Sequence, residues 1–134
     1  MINVVGASNE HGEIVRALIA QSPWNDEHGD LDYSTLAPYW LLALHDGKAV
    51  GTIQMSFGRP LARLEYMAID ESIKGYEKAQ IVRALLDAGA QILISQGAER
   101  VTGFIPFELK TYRRVLERRG ARIAGKGTLM TWSP

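Results

Sequence analysis

The sequence predicts a mixed α/β (α+β) fold, a mostly antiparallel twisted sheet flanked by helices, built as a single domain over residues 1–134. Three observations carry this. The middle of the chain holds consecutive strand-like segments joined by tight turns, which is the pattern of a meander. The apolar spacing then switches from strand-like to helical over a long stretch. Beyond it a further strand and helix follow, and a meander followed by β-to-α units implies a mixed sheet with helices on its faces.

Ile2 to Val5 is a β-branched run and reads as the first strand. Ile14, Val15, Leu18 and Ile19 repeat at helical spacing, and Pro23 closes that helix. Ser22 to Ser34 is polar and turn-rich and reads as a surface loop carrying Asp26, Glu27, Asp30 and Asp32, with a short second helix expected around Ser34 to Leu36. Trp40 to Leu44 is a strand. Asp46-Gly47 marks a hairpin, because the tight turn needs positive φ, which glycine accepts. Ala49 to Phe57 is the partner strand, and Gly58-Arg59-Pro60 turns into a third, Leu61 to Ile69. Strict alternation there puts Leu64, Tyr66 and Ala68 on one face and Glu65, Met67 and Ile69 on the other.

Ile81, Val82, Leu85, Leu86, Gly89, Ile92 and Leu93 form a wide helical stripe, and Gly97 is placed to cap it. Val101 to Ile105 reads as a strand stopped by Pro106. Leu109, Tyr112, Val115 and Leu116 make a shorter helix closed by Gly120. Ala121 to Ala124 and Thr128 to Trp132 are expected to form a final hairpin through Gly125-Lys126-Gly127.

Composition narrows the function classes. Lys plus Arg equals Asp plus Glu at 15 each, so no overall field attracts nucleic acid or an anionic membrane. The arginines at 113, 114, 118, 119 and 122 read as a solvated helix face. The chain has no cysteine, which excludes disulfides, thiolate metal sites and cysteine nucleophiles. His11, His28 and His45 lack metal-ligand spacing, so no metal is expected. Met1 to Ala7 is too short for a signal peptide, and no apolar run approaches the roughly 18 residues of a membrane span. A cytoplasmic protein without membrane partners is the expectation.

The order of elements, and above all the run from Leu64 through Ala79 into Ile81-Val82-Arg83-Ala84-Leu85-Leu86, resembles the GNAT acetyltransferase family. The likeness spans Ile2 to Trp132, most of it as pattern; Val101 to Gly120 is similar to the family's fifth strand and following helix. It implies an N-acetyltransferase using acetyl-CoA as co-substrate and a small-molecule or protein amine as acceptor. The central strand, at Met67, Ala68 and Ile69, then pairs with the pantetheine arm. The turn after it, with Lys74, Gly75, Tyr76, Lys78 and Ala79, cradles the diphosphate on backbone N–H groups at a helix N-terminus. Glu65 is the candidate general base, with His45 second. The family's acidic Tyr falls at Leu116, and Tyr112 lies one turn earlier on the same face as its substitute. Trp24, Tyr33, Tyr39 and Trp40 are candidates for an acceptor cleft.

The turn departs from the family pattern of Gln or Arg, two residues, Gly, one residue, Gly or Ala. Counting from the strand gives Lys74, Glu77 and Ala79; counting back from the helix gives Ile73, Tyr76 and Lys78; aligning Lys-Gly-Tyr gives Gly75 and Glu77. Two of these registers put a carboxylate where phosphate approaches, a repulsion of roughly 1–4 kcal/mol at surface-like dielectric. An eroded loop allows an alternative: a non-catalytic interaction or assembly module of this fold, as in a homo-oligomer or a phage virion protein.

Overall fold

The computed structural model describes residues 1–106 and 109–133. Five strands form one sheet in chain order: β1 (Ile2–Gly6), β2 (Trp40–His45), β3 (Lys48–Ser56), β4 (Leu61–Ile69) and β5 (Arg100–Thr102). Neighbours from β1 to β4 run antiparallel, and β5 lies parallel to β4. Asp46 and Gly47 both take positive φ, 51° and 84°, as a two-residue hairpin turn requires.

The helices are α1 (Gly12–Ala20), α2 (Asn25–His28), α3 (Gly75–Ser95) and α4 (Lys110–Arg118). They cover opposite faces of the sheet and seal two cores. Ile81, Val82, Leu85, Leu86 and Leu93 of α3, with Tyr112 and Val115 of α4, pack on Leu41, Ile53, Met55, Leu64, Met67 and Ile69. Val15, Leu18 and Ile19 of α1, with Trp24, Tyr33 and Leu36, pack on Trp40, Leu42 and Ala68. Two glycines set the height of α3 above the sheet. A Cβ on Gly89 would lie 2.6 Å from Leu64 Cδ2, and one on Gly51 would lie 2.8 Å from Ile69 Cδ1. Gly97 (φ 104°) and Gly120 (φ 89°) end α3 and α4 in the left-handed conformation, each followed by an amide bonded back into the helix: Ala98 N to Leu93 O and Ala121 N to Leu116 O.

Four expectations are corrected. The short second helix lies at Asn25–His28 rather than around Ser34 to Leu36. Asn9 Oδ1 accepts from the amides of Leu36 and Ala37 at 2.8 and 3.0 Å, fixing that segment as an irregular turn, and Pro38 disfavours helix in the residue before it. Strict alternation along β4 breaks at a bulge, so Leu64, Met67 and Ile69 share the α3 face while Tyr66 and Ala68 pack on the opposite one. The strand expected from Val101 to Ile105 is Arg100–Thr102, because Gly103 already backs onto Leu64 O. The final hairpin is not formed: residues 121–133 carry no regular element, and Ile123, Met130 and Trp132 are exposed. An isolated hairpin is marginal in water, and β5 offers it only a three-residue edge.

Candidate active site

β4 and β5 part early. Their pairing ends at Arg63 opposite Thr102, and among the described residues no strand pairs with Leu64 to Ile69 on the β5 side of β4. A cavity lies between the end of β4 and the start of α4. Midway along β4 the register shifts. Thr52 pairs with Ala68 and Gln54 with Glu65, leaving Tyr66 and Met67 opposite Ile53 alone. Tyr66 takes φ 58°, a conformation that a bulky residue holds only when its surroundings impose it. The surroundings are aromatic. Trp24 and His28 meet the Tyr66 ring edge-on at centroid distances of 5.2 and 4.8 Å, and Phe104 stands 6.4 Å from Trp24. Trp24 Nε1–H donates to Met67 O at 3.2 Å, fixing the carbonyl just past the bulge.

Glu65, expected on the sheet face with Met67, lies on the bulge side and is 7% exposed. Its Oε1 accepts from Arg63 Nε two residues earlier, so one side of the carboxylate is oriented by a guanidinium. Burial first, and the Glu65 charge second, push the Tyr66 phenol above its ordinary pKa. An Arg–x–Glu pair on one strand face follows from the period of two; its burial beside an aromatic cluster does not.

The turn beyond β4 is built by local hydrogen bonds. Asp70 Oδ1 accepts from the Ser72 amide at 2.9 Å and the Ser72 hydroxyl at 2.7 Å, which holds its carboxyl below the usual range. Gln21 Oε1 accepts the Glu71 amide at 2.8 Å and ties the turn to the end of α1. Lys74 is extended, Gly75 turns with φ 64°, and α3 begins with no side chain capping its first amides. Those amides have no partner inside the helix. They open on a cavity of about 350 Å³ lined by Ile69, Lys74, Gly75, Lys78 and Tyr112, all singled out from the sequence, together with Glu71, Gln21, Ser22, Pro23 and Thr111. The contribution of Gln21 to Pro23 was not legible: it joins segments about 50 residues apart through one side-chain contact.

The other sequence-selected residues lie outside this lining. Met67 and Ala68 are buried in β4, on opposite faces of the sheet. Ala79 packs partly buried against the α3-side core. Tyr76 is 74% exposed. Glu77 turns to β2, where His45 Nδ1 meets Glu77 Oε1 at 2.9 Å. Tyr112 is buried with its ring 5.5 Å from Lys78 Nζ, and burial pushes its phenol up to about 12. Tyr33 and Trp40 meet edge to face inside the α1-side core, and Tyr39 pairs with Phe57 at the far end of the sheet, so those three do not join Trp24 at the bulge.

A wider groove of about 1000 Å³ lies at the far end of the sheet, between Tyr39, Leu41, Met55, Phe57 and Ile92. Size does not make it the reactive site. Its one charged group, Arg59, is bonded through Nε to Gln96 O, whereas the smaller cavity sets Lys74 and Lys78 against the single carboxylate of Glu71 beside the uncapped start of α3. Among the described residues no cluster of His, Asp and Glu has the makings of a metal site, and no helix is long and apolar enough to cross a membrane.

A family model described as the Acetyltransferase (GNAT) family matches residues 11–120. A search of curated proteins finds no match. Among solved structures, an aminoglycoside N-acetyltransferase, AAC(6')-Iy, in complex with CoA is similar at TM-score 0.76 and 17% identity, over 98% of this chain and 95% of that one. A ribosomal-protein-alanine N-acetyltransferase from Brucella melitensis biovar Abortus 2308 is similar at TM-score 0.72 and 15% identity, over 98% and 100%. A transcriptional regulator from Bacillus halodurans C-125 is similar at TM-score 0.74 and 11% identity, over 98% and 100%. At such identities the likeness speaks for the fold alone, and function has to be argued from the site.

Proposed function

Because the chain belongs to the GNAT acetyltransferase family, we propose that it is an N-acetyltransferase that takes acetyl-CoA as acyl donor. The observation that carries this is the cavity at the end of β4, where the uncapped start of α3 meets Lys74 and Lys78. N–H donors at a helix N-terminus with two ammonium groups form a setting for a diphosphate. The loop is eroded in sequence, yet its one carboxylate at the helix start, Glu77, is engaged elsewhere.

In this reading the unpaired side of β4 around Met67, Ala68 and Ile69 holds the pantetheine arm by main-chain hydrogen bonds, and Lys74, Gly75 and Lys78 hold the diphosphate. The backbone at the Tyr66 bulge orients the thioester carbonyl. The acceptor amine enters from the side of Trp24, His28 and Phe104. Its nitrogen bonds to the carbonyl carbon, the C–S bond breaks, and CoA leaves as the thiol. Glu65 takes the proton that the amine loses, its carboxylate oriented by Arg63. Tyr112, kept protonated by burial, supplies the proton to the departing sulfur. The acceptor class in this reading, an amine on a small molecule or on a protein, rests on family membership.

Calorimetric titration with acetyl-CoA tests the reading. Micromolar binding that weakens about 100-fold in Lys74→Glu is expected, since the change reverses one charge beside a diphosphate at surface-like dielectric. Absence of binding at millimolar ligand would refute the enzyme and leave a binding or assembly module of the same fold.

A further inference from the structure

Glu77 stands in the first turn of α3, two residues after Gly75, where the sequence registers placed a charge against the incoming phosphates. A carboxylate there suits the helix dipole but repels an anion at the same amides. The structure turns it away. His45, the last residue of β2, meets Glu77 Oε1 through Nδ1 at 2.9 Å. The His45 ring is itself held between two carboxylates, with Nε2 lying 3.6 Å from Asp46 Oδ2. Asp46 is anchored in turn by the N-terminal ammonium of Met1 at 3.0 Å. A chain of polar contacts thus runs from the N-terminus through the hairpin turn to the start of α3. Neither His45 nor Glu77 lines that cavity, and both remain partly exposed, so nothing in the core needs this contact.

We propose that His45 is a positioning residue for diphosphate capture: it draws the Glu77 carboxylate to the hairpin end of β2 and so keeps a negative charge off the amides that open α3. The role holds only if the cavity takes the diphosphate of CoA, as argued above. It explains how a sequence in which no register supplies both of the family's small residues keeps its cradle open. The carboxylate is retained at the helix start, where it favours the helix, and is held from outside the site by the His45 ring.

A double-mutant cycle with CoA as the probe, read by calorimetry, tests it, with thermal melting to establish that each variant is folded. A released carboxylate within about 6 Å of two phosphate charges weakens binding roughly tenfold in water-like dielectric. His45→Ala is therefore expected to raise the Kd about tenfold, and Glu77→Gln to leave it unchanged or lower it. His45→Ala added to Glu77→Gln is expected to have no further effect. His45→Gln, which keeps an N–H donor toward Glu77, is expected to recover most of the affinity. An unchanged Kd in His45→Ala, or an equal loss in the Glu77→Gln background, would overturn the role of His45 while leaving the acetyltransferase reading intact. Failure of the unaltered protein to bind CoA at millimolar concentration would overturn both.

Discussion

Gly89→Ala isolates the contact that fixes α3 against β4, and its sign can be worked from the structure. Within an isolated helix the change is favourable, by about 1 kcal/mol. Here the new Cβ would stand 2.6 Å from Leu64 Cδ2 and 3.2 Å from Cδ1. Ordinary carbon contacts lie near 3.5–4.0 Å, so one methyl has to retreat by about an ångström. Leu64 is 6% exposed and walled in by the α3-side core, so the retreat displaces its neighbours. Overpacking of this kind costs about 1–3 kcal/mol, and the net expectation is a loss of about 1 kcal/mol. Urea denaturation monitored by far-UV circular dichroism measures it. In a Leu64→Ala background, itself costing about 2–5 kcal/mol, the methyls are gone and Gly89→Ala should become stabilising by its helix-propensity gain. The two substitutions are in contact, so this failure of additivity is the signature sought. A gain of about 1 kcal/mol from Gly89→Ala alone would refute the close approach of α3 to the sheet.

Glu65→Gln should lower turnover at least about 100-fold while leaving the affinity for CoA unchanged, as removal of a general base does; a wild-type rate would remove Glu65 from that role. Trp24→Phe keeps most of the ring packing but leaves the Met67 carbonyl without its donor, a loss of about 1–3 kcal/mol in chemical denaturation; an unchanged midpoint would show that the indole N–H does not fix the bulge. Tyr112 has a folded-state pKa near 12, above the ordinary value of 10, so its contribution is full below pH 10 and is lost as pH rises toward 12. Wild type should therefore lose on the order of 2 kcal/mol across that window relative to Tyr112→Phe, in melts at stepped pH, and the late phase of an ultraviolet titration, to which Tyr33 and Tyr66 also contribute, should shrink in Tyr112→Phe; parallel pH profiles of the two proteins would contradict its burial.

Local patterns settled the architecture. Asp46-Gly47 needs positive φ and the flanking segments are β-branched and apolar, so a hairpin follows wherever the chain goes afterwards. The stripe from Ile81 to Leu93 has to bury one face, and a sheet is what the preceding meander supplies. Gly97 and Gly120 end their helices because the left-handed conformation there is cheap for glycine alone. The candidate cradle was legible for a similar reason: Lys74 and Gly75 lie at a strand-to-helix junction, and the geometry of such a junction is local.

What the tertiary structure alone decided depends on contacts between distant segments. The bulge at Tyr66 has no turn residue to announce it; Trp24 and His28, about 40 residues away, hold it, and one inserted residue exchanges the faces of everything beyond it. That exchange put Met67 and Ile69 on the face of Leu64 and left Glu65 on the other face with Tyr66, where alternation had grouped it with Met67. The direction of Glu77 was equally hidden, because a side chain's charge is read from sequence while its heading is set by whichever partner the fold brings near, here His45 at the end of a strand 32 positions earlier. The unpaired segment after Gly120 completes the contrast: its alternating apolar residues specify a strand, but a strand exists only where a long enough edge receives it.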